Sequence, residues 1–378
     1  GASGYLPGGS GYDSLIDASG GSQLVTTGEF SGYVDLVSYN SFESIDLGDG
    51  SDHAIASHRF GQIDLGDGND SVSLQSGAHG FVDGHSGTDV LHAKSGLNRV
   101  TISGLGAGSI DANVSFSNFE SILLGDGDDS AFVSSASALA SVDGGAGLDT
   151  LNNELSGNTL VTNGFDSGVL GNVSYRGFEV VNMGDGSDKA FVRDELSMLD
   201  MGSGNDLVII SADAKGLIDG GDGVDLLVDE LGDTTFVSNG DGQGSLNSVR
   251  YSNFESIDLG SGSDHASVSH NVGMNSLHFG SGDDSAELSQ DSGGRFIFDD
   301  GNDSVDLAFT PDRRQQDHVV LDGSQDLDLI VFSSLDLADV ADLSRGGEMG
   351  DFTNYVSDPT GETFDSDLFN LSATNFEN

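Results

Sequence analysis

The chain has 378 residues, of which 63 are Asp or Glu and 12 are Lys or Arg, so its formal net charge is −51. This acidity argues against nucleic acid as a partner, since phosphate binding needs clustered Lys and Arg, and against adhesion to an anionic membrane surface without a bridging cation. The chain has no cysteine, which excludes disulfides and thiolate metal sites, and it has no apolar run long enough to span a membrane.

Glycine is the most distinctive part of the composition, with 57 Gly against only 3 Pro. Such a chain is expected to make many tight turns at positive φ. A charge of −51 is tolerable where salt screens it or where bound divalent cations neutralise it. Because the sequence starts at Gly1 and lacks a signal-like apolar region, we expect a processed product or an excerpt of a longer chain.

One short loop recurs along the chain, with two glycines two residues apart and an Asp two residues after the second. The first copy contains Gly9, Gly11 and Asp13, and a clear copy occupies 65–70. Successive copies lie 18 to 20 or 39 to 40 residues apart, close to one or two multiples of about 19.5. The Asp that closes each copy is, in chain order, Asp13, Asp52, Asp70, Asp89, Asp129, Asp149, Asp188, Asp206, Asp225, Asp264, Asp284 and Asp303.

The residues on either side of each loop alternate between apolar and polar, as in Ile63-Asp64-Leu65 before a loop and Val72-Ser73-Leu74 after it. This period of two predicts short β-strands. One coil per repeat would stack the strands and place the loops above one another. The sequence therefore predicts an all-β fold, a parallel β-solenoid (β-roll) of about 19 coils.

A second motif, in which an aromatic residue is followed three residues later by Phe-Glu, recurs in the double-length gaps. Its copies are Tyr39 to Glu43, Phe116 to Glu120, Tyr175 to Glu179 and Tyr251 to Glu255, and each Glu precedes the next loop Asp by nine residues. We interpret the aromatic residues as a core ladder on coils without the loop. The alternative is that they stack against a cell-surface glycan.

The last part of the chain differs from the rest, because the loop fades after Pro311. We predict a solenoid over residues 1–310 and a C-terminal cap or assembly segment over 311–378, since solenoids need a covered end. Residues 321–326 resemble a degenerate loop, residues 335–343 alternate apolar residues with Asp, and 374–378 resemble 252–256. This last echo suggests end-to-end self-association, in which the first coil of one copy stacks on the last coil of another. The alternative is a longer protein cut within a repeat.

The chemistry of the loop suits calcium, which takes six to eight hard oxygen ligands from carboxylates and main-chain carbonyls. One loop offers too few oxygens, but two stacked loops would complete the shell. We therefore predict that the twelve closing Asp residues bind Ca²⁺. Secondary candidate ligands are Asp49, Asp67, Asp126, Asp185 and Asp222, with the carbonyls around Gly48, Gly50, Gly66, Gly68, Gly125, Gly127, Gly184, Gly186, Gly202 and Gly204. The alternative is that the loops are metal-free Gly-Asp turns.

The repeats between residues 8 and 306 resemble the RTX (hemolysin-type) nonapeptide Gly-Gly-x-Gly-x-Asp-x-U-x, where U is a large apolar residue. This resemblance implies a calcium-binding parallel β-roll from a secreted or cell-surface bacterial protein, such as a toxin, protease, epimerase, adhesin or surface-layer protein. It implies one ion shared by Asp52 and Asp70, one by Asp70 and Asp89, and one by Asp206 and Asp225. The chain departs from the family in spacing its loops by at least 18 residues rather than nine, which predicts calcium turns mainly along one edge.

No catalytic signature stands out: the chain lacks His-Glu-x-x-His, Gly-x-Ser-x-Gly and a phosphate-binding loop. We therefore expect a non-catalytic, extracellular or cell-surface protein, and a filament or surface-layer subunit is the favoured role. The alternatives are a stalk segment of a large adhesin and a calcium-binding module of a secreted polysaccharide-modifying enzyme.

Overall fold

The computed structural model describes residues 4–308, apart from 19, 231, 241, 271, 273, 274, 290 and 291, and three later strands at Val319–Asp322, Leu329–Val331 and Leu371–Thr374. The chain divides into two compact units, unit 1 (Gly1–Asp185) and unit 2 (Gly186–Asn378). The described parts of both units consist of strands and turns without a helix, so they contain no helix that could span a bilayer.

The strands of unit 1 are short and follow one another at intervals of a few residues. They are β1 Gly4–Pro7, β2 Ser14–Ile16, β3 Gln23–Gly28, β4 Ser31–Val34, β5 Val37–Asn40, β6 Ser44–Asp46, β7 His53–Ala56, β8 Arg59–Asp64, β9 Asp67–Gly68, β10 Ser71–Leu74, β11 His79–Asp83, β12 Ser86–Gly87, β13 Val90–His92, β14 Arg99–Gly104, β15 Ala107–Ile110, β16 Val114–Ser117, β17 Ser121–Leu123, β18 Ser130–Val133, β19 Ala140–Asp143, β20 Thr150–Asn153, β21 Thr159–Gly164, β22 Ser167–Leu170, β23 Val173–Arg176 and β24 Val180–Asn182.

Unit 2 has the same kind of strands. They are β25 Lys189–Val192, β26 Glu195–Asp200, β27 Ser203–Gly204, β28 Leu207–Ile210, β29 Lys215–Asp219, β30 Asp222–Gly223, β31 Leu226–Asp229, β32 Thr235–Gly240, β33 Gln243–Leu246, β34 Val249–Ser252, β35 Ser256–Asp258, β36 His265–Val268, β37 Ser276–Gly280, β38 Ser285–Ser289, β39 Gly294–Phe298, β40 Ser304–Ala308, β41 Val319–Asp322, β42 Leu329–Val331 and β43 Leu371–Thr374.

In unit 1 the chain passes alternately between two parallel sheets. The first sheet includes β7, β10, β13, β17 and β19 as successive neighbours, and the second includes β6, β8 and β11. Unit 2 repeats this arrangement, with β25, β28, β31, β35, β37, β39, β41 and β43 in one sheet and β36, β38, β40 and β42 in the other. The predicted parallel β-solenoid is confirmed.

The core lies between the two sheets, because equivalent apolar residues of successive coils stand in register. Ile45 pairs with Ile63 in the second sheet, and Val72 lies between Ala54 and Leu91 in the first. All five side chains are buried. The alternation of inward apolar and outward polar residues seen in the sequence therefore fills a continuous core with few residues per coil.

The double-length gaps do not hold two plain coils. Each contains an antiparallel three-stranded segment, made by β3–β5, β14–β16, β21–β23 and β32–β34. Between Asp89 and Asp129 the chain runs through β13, this segment and β17, which is one and a half circuits plus two extra strands. The described strands make eight circuits in unit 1 and seven and a half in unit 2, whereas about nineteen coils were expected for the whole chain.

Because each long gap adds half a circuit, the loops do not lie mainly along one edge, and that prediction is wrong. In unit 1, loops 47–52, 65–70 and 84–89 lead from the second sheet to the first, whereas loops 8–13, 124–129 and 144–149 lead from the first to the second. In unit 2, loops 201–206 and 220–225 likewise cross in the opposite sense to loops 259–264, 279–284 and 298–303. Each unit therefore carries loops on both edges.

Beyond residue 310 the parallel pairing continues, since β41 pairs with β39, β42 with β40, and β43 with β41. The remaining residues of the predicted cap lie outside the described part of the chain, including 335–343 and 375–378, as does most of the degenerate loop at 321–326. The boundary at 310 and the role of 311–378 stay predictions.

Candidate metal-binding columns

Each Gly-Asp loop is shaped by a side chain that precedes it and by glycines that permit close stacking. Asp64 Oδ1 accepts the N–H of Gly66 at 3.2 Å, and the equivalent Asp46 accepts the N–H of Gly48 at 3.0 Å. Gly66 has a φ of +89°, and a Cβ built on it would lie 1.9 Å from the carbonyl oxygen of Gly48. Only glycine fits here, so the main chains of neighbouring loops lie directly against each other.

The closing Asp residues stand above one another in columns, joined by hydrogen bonds. Asp70 Oδ1 accepts the N–H of Asp52 at 2.7 Å, and Asp89 Oδ1 accepts the N–H of Asp70 at 2.8 Å. The same bond, at 2.7–2.9 Å, links the other neighbours. We define four columns: column 1 (Asp52, Asp70, Asp89), column 2 (Asp129, Asp149), column 3 (Asp188, Asp206, Asp225) and column 4 (Asp264, Asp284, Asp303).

The sequence prediction thus identified the correct neighbours, because Asp52 and Asp70, Asp70 and Asp89, and Asp206 and Asp225 all face each other on adjacent coils. Asp13 stands outside the four columns, next to Glu43. The secondary candidates do not join the columns: their side chains are exposed to solvent on the loops, at Asp49, Asp67, Asp126, Asp185 and Asp222.

The second carboxylate oxygen of these Asp residues is the unusual feature of the columns. It is buried and makes no hydrogen bond, although the first oxygen is satisfied. The column residues with such an Oδ2 include Asp52, Asp70, Asp89, Asp129, Asp149, Asp206, Asp225, Asp264 and Asp284; Oδ2 of Asp13, outside the columns, is likewise buried without a hydrogen bond. A buried polar atom without a partner is costly, and repeated orphan atoms at one position call for a missing ligand or a proton.

Burial also raises the pKa of these carboxyl groups. Loss of solvation, with a smaller contribution from neighbouring carboxylates, brings the pKa of Asp70 and Asp149 to about 6 and that of Asp284 to about 7. Burial raises the pKa of Asp52 and Asp89 in the same direction. Burial therefore disfavours the ionised form of these carboxylates, and a bound cation would favour it.

The donor set fits a hard cation that also accepts main-chain ligands. Within the described residues, no group of three or more His, Cys, Asp and Glu side chains is gathered closely enough to hold a metal ion. A cation would therefore have to combine one or two carboxylates with carbonyl oxygens. The stacked glycine loops bring such carbonyls together, as Gly48 and Gly50 do against Gly66 and Gly68.

Four glutamates belong to the same system, and our sequence analysis did not recognise their role. The Glu of each aromatic motif accepts the N–H of the last Asp before it in the stack: Glu43 from Asp13 at 2.9 Å, and Glu120, Glu179 and Glu255 from Asp89, Asp149 and Asp225 at 2.7 Å. At the opposite end, the N–H groups of Ser22, Asn98 and Thr234 donate to the first Asp of columns 1, 2 and 4. The sequence signal for this role is the fixed position of the Glu after Phe. The Glu contacts the loop Asp that precedes it in the chain, not the one nine residues after it.

The aromatic residues of that motif pack in the core. Phe116 and Phe119 make an edge-to-face contact with ring centroids 6.1 Å apart, and Tyr175 and Phe178 do so at 6.3 Å. All four rings are buried. They anchor the coil that brings each Glu under its Asp, in keeping with the expected core ladder.

Comparison with known proteins adds no family assignment, because no protein-family model and no curated protein matches the chain.

Proposed function

We propose that this chain is a non-catalytic, extracellular structural protein of the RTX type, in which Ca²⁺ ions neutralise and stabilise the Asp columns. The observation that carries the proposal is the buried, unpaired Oδ2 repeated along the columns. Burying an ionised carboxylate without a partner is strongly unfavourable, and a bound cation removes that penalty. The net charge of −51 also favours the binding of cations.

Repulsion within a column adds to this argument. Neighbouring coils of a parallel sheet are about 4.8 Å apart, so successive carboxylates lie well within the screening length of about 8 Å at physiological ionic strength. The proposed ions would be held by the closing Asp residues together with glycine carbonyls of adjacent loops. Bound calcium would supply positive charge and cross-link the coils, so that metal binding adds to the folding free energy.

End-to-end assembly into a filament or surface layer is the favoured role. At the start of unit 1, β1 pairs only with β5 and β2 only with β6 among the described strands. This first coil also exposes apolar side chains, with Tyr5 61% and Ile16 67% accessible. A parallel edge with apolar residues accepts a further strand pair, which a preceding coil of a longer chain or, in the assembly proposed here, a second copy would supply.

The stalk of a large adhesin is the second candidate, favoured by the scaffold-like character of the whole described region. It shares the same calcium chemistry and differs in assembly. A calcium-binding module of a secreted enzyme remains the third candidate, with its activity residing on other parts of a parent protein.

Calcium titration of the chelator-treated full chain tests the proposal. We expect stoichiometric calcium uptake and a large rise in melting temperature. Magnesium at the same concentration is the control, since its stricter octahedral geometry suits a carbonyl-rich site poorly. Identical melting curves in calcium and chelator would exclude a calcium-stabilised solenoid.

Electron microscopy in millimolar calcium then separates the two roles. Filaments or end-to-end contacts support the assembly subunit. Short monodisperse rods that bind calcium support the adhesin stalk instead.

A further inference from the structure

The end of a column differs chemically from its interior, because the coil beyond it has no Gly-Asp loop. In the interior, the N–H of each Asp donates to the carboxylate of another Asp. At the ends of columns 1, 2 and 3 it donates to Glu120, Glu179 and Glu255. A Glu in place of an Asp brings a carboxylate on a longer side chain, and it comes from the aromatic motif rather than from a loop.

The last Asp of each of these columns has an orphan oxygen. Asp89, Asp149 and Asp225 are each 0% exposed, and Oδ2 of each is buried with no hydrogen bond. Since Oδ1 accepts the N–H of the preceding Asp, only Oδ2 is left without a partner.

A main-chain carbonyl oxygen lies close to this Oδ2 atom. A Cβ built on Gly84 would lie 2.9 Å from Asp89 Oδ2 and 2.2 Å from the carbonyl oxygen of Asn118. These two oxygens therefore both pack against Gly84 and lie close to each other.

Column 2 repeats this arrangement. A Cβ on Gly144 would lie 2.6 Å from Asp149 Oδ2 and 2.0 Å from the carbonyl oxygen of Gly177. In column 3 the carbonyl of Asn253 takes the equivalent place beside Gly220, at 2.2 Å from its Cβ position. The carbonyls come from the residue two before each Glu, and that residue has positive φ, 58° at Asn118, 64° at Gly177 and 55° at Asn253.

We propose that each of these column ends is a separate calcium site, formed by the last Asp, the Glu that accepts its N–H, and the carbonyl two residues before that Glu. The three sites are Asp89 with Glu120, Asp149 with Glu179, and Asp225 with Glu255. Two carboxylates match the charge of Ca²⁺, and carbonyl and water oxygens complete its shell. This inference rests on the proposed function, and it assigns the aromatic-x-x-Phe-Glu motif a role in binding as well as in packing.

The competing explanation is that each Glu is only a hydrogen-bond acceptor that ends the column. Glu→Gln separates the two explanations, because the amide oxygen of Gln still accepts the N–H while the negative charge is lost. The test variant is E120Q/E179Q/E255Q. The control is E29Q/E230Q/E287Q, which removes the same charge from three exposed glutamates.

Calcium stoichiometry and affinity are measured by isothermal titration calorimetry on the decalcified full chain. We expect the test variant to bind three fewer ions than the wild type, or to bind three of them at least tenfold more weakly. In chelator its melting temperature should equal or exceed that of the wild type, since the hydrogen bond persists and repulsion is relieved. The control variant should retain the wild-type isotherm.

An unchanged isotherm in the test variant, or a loss equal to that of the control, would overturn the column-end sites while leaving the interior sites in place. Failure of the wild type to bind any calcium would overturn both proposals. If the triple variant does not fold, the single variant E120Q should lose one ion, and retention of every ion would count against the inference.

Discussion

Substitution of the first glycine in two neighbouring loops tests whether direct contact between loops stabilises the solenoid. Gly125 and Gly145 occupy equivalent positions on adjacent coils, and their φ angles are similar, +94° and +100°. A Cβ on Gly125 meets nothing within 4 Å, whereas a Cβ on Gly145 would lie 2.0 Å from the carbonyl oxygen of Gly125. Gly125→Ala is therefore a matched control for Gly145→Ala.

The expected costs follow from this geometry. Both variants place an alanine at positive φ, which costs about 1–2 kcal/mol. Gly145→Ala must also move the two loops apart by more than about 1 Å, because a carbon and an oxygen need over 3 Å of separation. That movement disrupts the bond from Ala146 N–H to Gly125 O and the bond from Gly127 N–H to Ala146 O, now 2.9 and 2.8 Å. At about 0.5–1.5 kcal/mol for each bond, the extra cost is about 1–3 kcal/mol.

Urea denaturation of the full chain in chelator, followed by circular dichroism, measures the difference without a contribution from bound ions. Gly145→Ala should shift the midpoint clearly further than Gly125→Ala. Equal midpoints would show that the loops relax freely and that their stacking contributes nothing. A second pair of curves in calcium should widen the gap, since displaced carbonyls would also lose their ions.

Two further predictions concern the carboxylates. In calcium, Asp70→Ala should lower the free energy of unfolding by about 1.5–3 kcal/mol or more, because it removes a charged acceptor from the N–H of Asp52. Asp13→Ala should lower it by less. Equal losses in melting experiments would contradict shared inter-coil ligands. In chelator, stability should fall as pH rises from about 4 to about 7: folding raises the pKa of Asp70 from 3.8 to about 6 and that of Asp284 to about 7, so the folded state binds more protons there. Calcium, which favours the ionised form, should flatten or reverse that slope, and a pH-independent melting temperature in chelator would contradict the buried charge.

Local sequence patterns predicted the local structure well. The alternation in Ile63-Asp64-Leu65 and Val72-Ser73-Leu74 predicted strands, and the spacing of Asp52, Asp70 and Asp89 predicted that they stack. These features depend on the chain within one coil and on repetition, so one sequence contains enough information to infer them.

The path through the long gaps was not predictable in the same way. A gap of 39 or 40 residues matches two plain coils in length, yet it holds one and a half circuits and a hairpin. The difference decides which edge the next loop occupies, and spacing alone cannot distinguish the two paths. Residues at the hairpin turns adopt positive φ, 50° at Asp35, 52° at Asp111 and 48° at Asn247. Asp and Asn tolerate this conformation best, which is the sequence signal for such turns.

The hairpins also explain why the columns are short. A column can continue only while each coil supplies a loop. On the other edge, the N–H groups of the turns that precede the hairpin segments, at Ser22, Asn98 and Thr234, donate to the first Asp of the next column. Like charges spaced about 4.8 Å apart repel one another, and each carboxylate added to a column adds one more repulsive neighbour within the screening length. Columns of two or three Asp, placed on alternate edges within a unit, limit that accumulation. They also create the column ends, where Glu120, Glu179 and Glu255 provide a second carboxylate, so the interruption that relieves repulsion is the same feature that supplies the proposed additional calcium sites.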